Sequence, residues 1–204
     1  MDYSRLRNGN DVRGIASAGV PGEEVNLTKT AAEHISRAFC RWLKKRLHKE
    51  RVLVAAGHDS RISAAELLSG VQAGVTKSGN DLFITGLSST PSMFMLLQDG
   101  EFFGGKENVP DGSIMLTASH LPFNRNGLKF FTKESGLEAD DVKEILSLAS
   151  QFSEAEPAES TKLGAVHTQS YMDKYSADLV KKVREACGNE TPLKGKKIIV
   201  DAGG

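Results

Sequence analysis

The chain has 204 residues, of which 39% are hydrophobic and 25% charged, and its formal net charge is zero. This size and composition fit one globular domain and part of another. A neutral chain has no bulk attraction for nucleic acid or for an anionic membrane, so neither is expected as a partner. No apolar run approaches the roughly 20 residues of a membrane span, and the N-terminus shows no secretory signal pattern.

Alternating helix and strand patterns run through the first 150 residues. Helical spacing of apolar residues predicts helices over 27–50, 63–79, 92–98 and 138–150. Short β-branched runs predict strands over 51–57, 81–86 and 113–119, and a further one over 128–132. Ser63 is the predicted N-cap of its helix, with Glu66 completing a capping box. This alternation predicts the α/β class, a parallel sheet with helices on both faces.

The connecting and C-terminal segments suggest how the chain divides. Residues 99–112 predict a loop or a peripheral hairpin. The polar, acidic stretch that follows the last predicted helix is typical of a linker. Beyond it, the pattern predicts a helix over 167–188 and a strand over 194–204, which cannot bury a core of their own. We therefore expect a first domain over 1–152, a linker over 153–166, and the truncated start of a second α/β domain over 167–204.

The cysteines and most histidines give no sign of a metal centre. Cys40 and Cys187 lie far apart and lack C-x-x-C spacing. A disulfide framework or a zinc site is therefore not expected, and a reducing cytoplasm fits the chain. Four of the five histidines show no paired metal-ligand spacing: His34, His48, His58 and His167.

A short polar segment after the predicted strand over 113–119 is the strongest functional candidate. Ser119 and His120 are adjacent there, and Lys129 follows after Asn126 and Gly127. A hydroxyl at a strand end, with an imidazole and an ammonium nearby, suits phosphoryl transfer through a serine. A turn with a hydrogen-bonded serine explains the pair equally well. A serine hydrolase is not indicated, because no G-x-S-x-G elbow surrounds the serine.

Two other segments carry groups that suit an anionic ligand. Asp59 and Arg61 follow the strand over 51–57, where open α/β sheets place ligand-binding groups. The same two residues could instead form an ion pair that holds the loop. Arg13, in the segment NDVRG, has a guanidinium that can donate two hydrogen bonds to a phosphate. An Arg-Gly pair is also common in turns.

Together these segments resemble the α-D-phosphohexomutase superfamily, which includes phosphomannomutase/phosphoglucomutase and phosphoglucosamine mutase. The similar segments, in order, are NDVRG, VLVAAGHDSR, TASHLPFNRNGLKFF and KIIVDAGG. The resemblance implies a four-domain enzyme of which this chain holds the first domain, a mixed, mostly parallel sheet flanked by helices. The first helix and strand of the second α/β domain would follow.

The resemblance also implies a reaction and roles for four residues. Ser119 would be phosphorylated and would exchange its phosphoryl group with a hexose phosphate through a bisphosphorylated intermediate, moving phosphate between the 1- and 6-positions. Arg13, His120 and Lys129 would stabilise charge and transfer protons. Mg²⁺ would be the cofactor, bound from this chain only through the phosphate oxygen on Ser119, and glucose or mannose 1,6-bisphosphate would be the activator.

The family's other metal and substrate loops are not in this chain, so we expect it to be inactive alone. The usual serine loop reads T-A-S-H-N-P-x-x-Y-N-G-x-K, whereas here Leu121 replaces the Asn and Arg125 the Tyr. These departures leave the sugar undetermined. A phosphoglucosamine mutase and a non-catalytic sugar-phosphate-binding protein remain alternatives, and the sequence does not give the oligomeric state.

Overall fold

A mixed β-sheet organises the chain in the computed structural model, which describes residues 1–153 and 162–201. The strand order is β1-β2-β6-β5-β3-β4-β7. Parallel pairing joins β5, β3, β4 and β7, whereas antiparallel pairing joins β1, β2, β6 and β5. The strands are β1 (Arg7–Asn8), β2 (Asp11–Ile15), β3 (Leu53–His58), β4 (Asp81–Leu87), β5 (Gly112–Leu116), β6 (Arg125–Thr132) and β7 (Val166–Thr168).

Helices cover both faces of this sheet, which confirms the predicted mixed α/β class. They are α1 (Lys29–Leu47), α2 (Ala64–Lys77), α3 (Thr90–Met95), α4 (Ala139–Ala149) and α5 (Met172–Cys187). One face forms the larger core with α1, α2 and α4. The other face forms a smaller core with α3 and Tyr171, which precedes α5. None of the helices in the described residues is long and apolar enough to cross a membrane.

Successive side chains of a strand point to opposite faces of the sheet, so a residue's position along its strand decides which face it lies on. Val12 and Leu128 belong to the larger core, so their sequence neighbours on β2 and β6 project to the opposite face. The smaller core on that face is built from residues of β3, β4 and β5. The β2–β6 end of the second face therefore carries polar side chains.

The predicted helices and strands of the first 150 residues are confirmed, with shifted ends. Thr28 caps α1 by accepting a 3.1 Å hydrogen bond from Ala31 N–H. Residues 99–112 contain a 3₁₀ turn, Lys106–Asn108, and no hairpin. The strand predicted over 113–119 ends at Leu116, which leaves Ser119 in the following loop.

The capping box predicted at Ser63 is wrong. The Ser63 backbone is itself helical, and its side chain makes no cap hydrogen bond. Its hydroxyl instead accepts a hydrogen bond from Asn126 Nδ2 at 2.9 Å. This buried tertiary partner on β6 replaces the local one.

Both ends of the chain differ from their sequence patterns. β1 and β2 have no predicted counterpart, because their alternation of polar and buried residues is too short to be recognised without β6 beside them. The helix predicted from 167 begins at Met172, and β7 forms just before it.

The strand predicted over 194–204 is not formed in its described part, residues 194–201. Ile199 there is 84% exposed. A strand needs a neighbour for its N–H and C=O groups, and within the described residues none pairs with this segment. The division into 1–152, 153–166 and 167–204 remains a prediction, because residues 154–161 lie outside the described residues.

Candidate active site

Ser119 lies in an unusual backbone conformation just beyond β5. Its φ is +57°, in the left-handed region that few non-glycine residues adopt. The side chain is exposed, and its Oγ lies 3.3 Å from His120 Nδ1. The loop therefore presents a hydroxyl and an imidazole together to the solvent, as the sequence pattern suggested.

A chain of hydrogen bonds that runs from Ser119 to the loop after β3 holds this backbone conformation. The Ser119 N–H donates to Thr117 Oγ1 at 3.0 Å, and the Thr117 hydroxyl donates to Asp59 Oδ2 at 2.6 Å. Asp59 in turn accepts from the Arg61 N–H at 3.1 Å. The loop after β3 thus supports the loop after β5, as expected where adjacent parallel strands end at one sheet edge.

Arg61 holds the serine loop through its backbone carbonyls. Its guanidinium also forms a 3.4 Å ion pair with Asp59, and the side chain is only 12% exposed. The sequence left two roles open for these two residues, and the geometry favours holding the loop, because the Nη donors face protein carbonyls. Arg61 donates to the carbonyls of Ser119 (2.9 Å), Leu121 (2.7 Å), Pro122 (2.7 Å) and Arg125 (2.9 Å).

Arg13 and Lys129 meet on the polar end of the second sheet face. Both pair with the carboxylate of Asp11, at 2.9 Å for Arg13 Nη2 and 2.5 Å for Lys129 Nζ. Two cations around one carboxylate leave a net positive charge beside the serine loop. Asp11 was not singled out in the sequence, although its i, i+2 spacing from Arg13 within a strand places both side chains on one face.

The register of three strands relates this cationic group to Ser119. Arg13 lies opposite Gly127 on β6, and the Gly127 carbonyl accepts a hydrogen bond from Thr117 N–H at 3.1 Å. Arg13 and Thr117 are therefore about two strand spacings, roughly 10 Å, apart. Within the described residues, no contact joins the Ser119 hydroxyl to Arg13 or Lys129.

Gly127 is required by the close approach of the strands on either side. A Cβ added there would lie 2.3 Å from the Val12 carbonyl oxygen and 2.9 Å from that of Thr117. Both distances are far below van der Waals contact. The glycine of the N-G-x-K segment is therefore explained by packing between β2 and the end of β5.

The described residues do not by themselves form a metal site. No group of three His, Cys, Asp or Glu side chains among them is arranged to hold a metal ion. Asp59 supports the serine loop, and its carboxylate already accepts a hydrogen bond from the Thr117 hydroxyl and forms an ion pair with Arg61. A Mg²⁺ ion, which prefers oxygen ligands, would thus depend on an oxygen supplied by a phosphorylated Ser119 and on ligands other than these.

The fold and the loop together define an α/β/α domain that exposes a serine at the end of a strand. A family model described as "Phosphoglucomutase/phosphomannomutase, alpha/beta/alpha domain I" matches residues 4–156. The chain therefore belongs to the α-D-phosphohexomutase superfamily and corresponds to the N-terminal part of its members.

Two curated relatives agree with this assignment. The chain is 28% identical over 193 residues to a phosphoglucosamine mutase of Caldicellulosiruptor saccharolyticus, covering 93% of this chain and 38% of that protein. It is 31% identical over 140 residues to a phosphoglucosamine mutase of Clostridium botulinum, covering 69% and 28%. It thus spans less than two fifths of the length of either relative.

A solved structure shares the fold. The phosphoglucomutase/phosphomannomutase family protein from Burkholderia thailandensis superposes with a TM-score of 0.68, at 22% identity, over 89% of this chain and 36% of that one. At this identity the similarity shows the fold alone.

Proposed function

We propose that this chain is the phosphoserine-bearing part of a phosphohexomutase of the phosphomannomutase/phosphoglucomutase type. The observation that carries the proposal is Ser119 itself, an exposed hydroxyl held at φ +57° by hydrogen bonds from two loops. A left-handed serine costs roughly 1–2 kcal/mol relative to ordinary backbone. Such strain is typical of a functional group that must be presented in one orientation.

In the proposed reaction, phospho-Ser119 gives its phosphoryl group to a hydroxyl of a hexose monophosphate. The bond from phosphorus to Ser119 Oγ breaks and a bond from phosphorus to the sugar oxygen forms. The sugar hydroxyl loses its proton, and Ser119 Oγ takes up a proton to become a hydroxyl again. The resulting bisphosphate then returns its other phosphoryl group to Ser119. Phosphate thereby moves between the 1- and 6-positions.

His120 and the cationic group have separate roles in this proposal. His120, 3.3 Å from Ser119 Oγ, is suited to hold the serine proton when Oγ is unphosphorylated. Arg13 and Lys129 offset the negative charge of the transferring group. Mg²⁺, when bound to the phosphate on Ser119, would neutralise part of that charge. Glucose or mannose 1,6-bisphosphate would activate the enzyme by restoring phosphoserine.

Mass spectrometry of the protein isolated from its source cells tests the central claim. We expect one phosphoryl group, mapped by peptide analysis to Ser119, and its loss in Ser119→Ala but not in Ser135→Ala, a control at another exposed loop serine. Continued absence of the phosphoryl group, even after incubation with glucose 1,6-bisphosphate and Mg²⁺, would instead favour a non-catalytic sugar-phosphate-binding protein.

Phosphoglucosamine mutase is the second candidate, and the names of the two curated relatives favour it. Both activities use the same phosphoserine chemistry and differ in the sugar. Competition between glucosamine 6-phosphate and mannose or glucose 6-phosphate, in a protein that contains this chain and turns over, distinguishes them. Preference for the amino sugar would replace the first candidate by the second.

A further inference from the structure

The loop that follows β2 folds back against the second half of the serine loop. This β2 loop comprises residues 16–26, and its two ends lie together at Ile15. The Ile15 carbonyl accepts hydrogen bonds from the Asn26 N–H (3.0 Å) and the Leu27 N–H (2.9 Å), and Asn26 Oδ1 accepts one from the Ile15 N–H at 2.8 Å. A compact loop with closed ends can hold a side chain in a defined place.

Glu23, in the β2 loop, contacts two neighbouring residues of the serine loop. Its carboxylate accepts a hydrogen bond from Asn124 Nδ2 at 2.7 Å through one oxygen and from Arg125 Nη2 at 2.7 Å through the other. The Asn124 carbonyl also accepts hydrogen bonds from the N–H groups of Ala16 (2.8 Å) and Ser17 (3.2 Å). The β2 loop therefore holds both the backbone and the side chain of Asn124.

The Asn124 side chain depends on this contact. Asn124 is buried, with 1% of its surface exposed. Among residues 1–153 and 162–201, Glu23 is the one hydrogen-bond partner of its side chain. A buried amide that loses its acceptor remains unsatisfied, which is costly because the same group is hydrogen-bonded to water in the unfolded chain. Loss of the Glu23 carboxylate should therefore release this part of the serine loop.

Arg125 is held at both its backbone and its side chain. Its carbonyl accepts from Arg61 at 2.9 Å, and its guanidinium forms an ion pair with Glu23. Arg125 also lines a cavity with three other arginines, so the Glu23 carboxylate offsets repulsion between like charges there. The family pattern has Tyr at this position, whereas this chain has Arg125. The ion pair with Glu23 is therefore a feature of this chain and not of that pattern.

We propose that Glu23 is a positioning residue for Ser119 and acts through Asn124 and Arg125. Arg61 holds the serine loop from the loop after β3, and Glu23 holds it from the β2 loop, so the serine loop is fixed from two sides. The catalytic consequence rests on the proposed function, because phosphoryl transfer requires the attacking and leaving oxygens to be in line. The structural part, that Glu23 keeps the serine loop in place, stands without that function.

Residue-resolved hydrogen exchange of the 204-residue chain, measured by NMR, tests the structural part, and urea denaturation gives the change in global stability. Glu23→Ala removes both acceptor oxygens, whereas Glu23→Gln keeps one acceptor with the same reach. Glu24→Ala is the matched control. Glu24 is the neighbouring exposed glutamate, and it makes no hydrogen bond or ion pair within the described residues.

We expect the protection of the amides over 119–125, including that of Ser119, to fall about tenfold in Glu23→Ala, because Asn124 and Arg125 both lose an acceptor. The loss should be smaller in Glu23→Gln, and Glu24→Ala should match the parent. Amides of β3 and β5 should lose much less protection than the serine loop. Unchanged protection of the loop in Glu23→Ala, or an equally large loss in β3 and β5, would overturn the proposal.

Steady-state kinetics of a protein that contains this chain and turns over test the link to Ser119. Glu23→Ala should lower kcat about tenfold and leave KM for the hexose phosphate within about twofold, because Glu23 places the serine and not the sugar. A loosened serine loop with unchanged kcat would also overturn the proposal. If the parent carries no phosphoserine and does not turn over, the proposed function fails, and hydrogen exchange at the Ser119 N–H decides the role of Glu23.

Discussion

At the scale of single residues, Ser119 shows how a strained position is maintained. Its left-handed backbone is unfavourable for a residue with a Cβ, yet its N–H and C=O are both satisfied, by Thr117 and by Arg61. Glycine would adopt this conformation more easily but has no hydroxyl. The hydrogen bonds from the neighbouring residues therefore offset part of the cost of this conformation.

Arg61 is the residue on which this loop depends most. Arg61→Lys should lower the free energy of unfolding by about 2 kcal/mol, since a lysine ammonium cannot replace a guanidinium fork that donates to four backbone carbonyls. Urea denaturation measures the stability, and hydrogen exchange should show lost protection over 119–125. Arg51→Lys, at an ion pair with Asp81 on the surface, is the control and should change little. Undiminished protection of the loop in Arg61→Lys would contradict this role.

At the scale of elements, the pairing of β2 with β6 brings the site together. It aligns Asp11 and Arg13 with Lys129 on one face, while Val12 and Leu128 enter the core on the other. A shift of one residue would exchange the two faces. The register is therefore fixed by the core and, through it, so is the position of the cations.

Gly127→Ala tests this pairing. The added methyl group would approach two backbone oxygens at 2.3 and 2.9 Å, and backbone cannot yield as a flexible side chain does, so we expect destabilisation of about 3 kcal/mol or more. Gly136→Ala is a matched control, because its nearest neighbour would lie at 3.6 Å. Urea denaturation of both variants gives the comparison, and equal stabilities would show that β2 and β5 can separate without cost.

A second element, α5, is attached to the sheet mainly at its start. Tyr171 is buried against Phe102 and donates a hydrogen bond to Asp99 at 3.0 Å. Burial, followed by that hydrogen bond and the charge of Asp99, raises the pKa of Tyr171 above its ordinary value. No residue within α5 itself is buried.

The raised pKa predicts how the attachment of α5 responds to alkali. The neutral phenol is favoured in the folded chain, so its contribution to stability is complete below about pH 10, the ordinary tyrosine pKa, and is lost as the pH rises through the raised value. The phenolate absorbance of Tyr171 should therefore appear later than that of free tyrosine. The titration step should vanish in Tyr171→Phe and persist in Tyr175→Phe. A step that disappears in Tyr171→Phe but lies at the ordinary tyrosine pKa would refute the prediction.

At the scale of the whole molecule, the two ends of the described chain differ in how well they are packed. The sheet through residue 152 has a continuous core. Beyond it, apolar side chains on α5 and after it remain open to solvent, including Leu179, Val183, Ile199 and Val200. Such a surface is typical of a segment that lacks a packing partner.

We expect the 204-residue chain alone to have no mutase turnover, as part of the function proposed above. Its described residues hold the serine and two cations but no complete set of metal-binding side chains. A coupled assay that detects glucose 6-phosphate formed from glucose 1-phosphate tests this, with a complete phosphoglucomutase added to verify the coupling. Ordinary turnover by the chain alone would show that it contains the whole site.

Sequence-based prediction succeeded for features that depend on residues close together along the chain. It failed for features that depend on contacts between residues far apart along the chain. α1, α2 and β3 were predictable because their apolar periodicity encodes burial within a single window of sequence. Ser63 was not, because its hydrogen bond to Asn126 joins residues 63 positions apart. The predicted strand over 194–204 failed in its described part for the same reason, since a strand depends on a neighbour that its own sequence cannot specify.

The sequence by itself determined the class of the fold, the serine loop and its chemical groups, because these depend on local patterns and on residue types. Only the tertiary structure decided what those groups do for one another. It showed that Arg61 supports the loop, that Asp11 joins Arg13 to Lys129, and that Arg125 faces a cavity with three other arginines. These relations arise from strand register and loop packing, which bring together residues that are far apart along the chain.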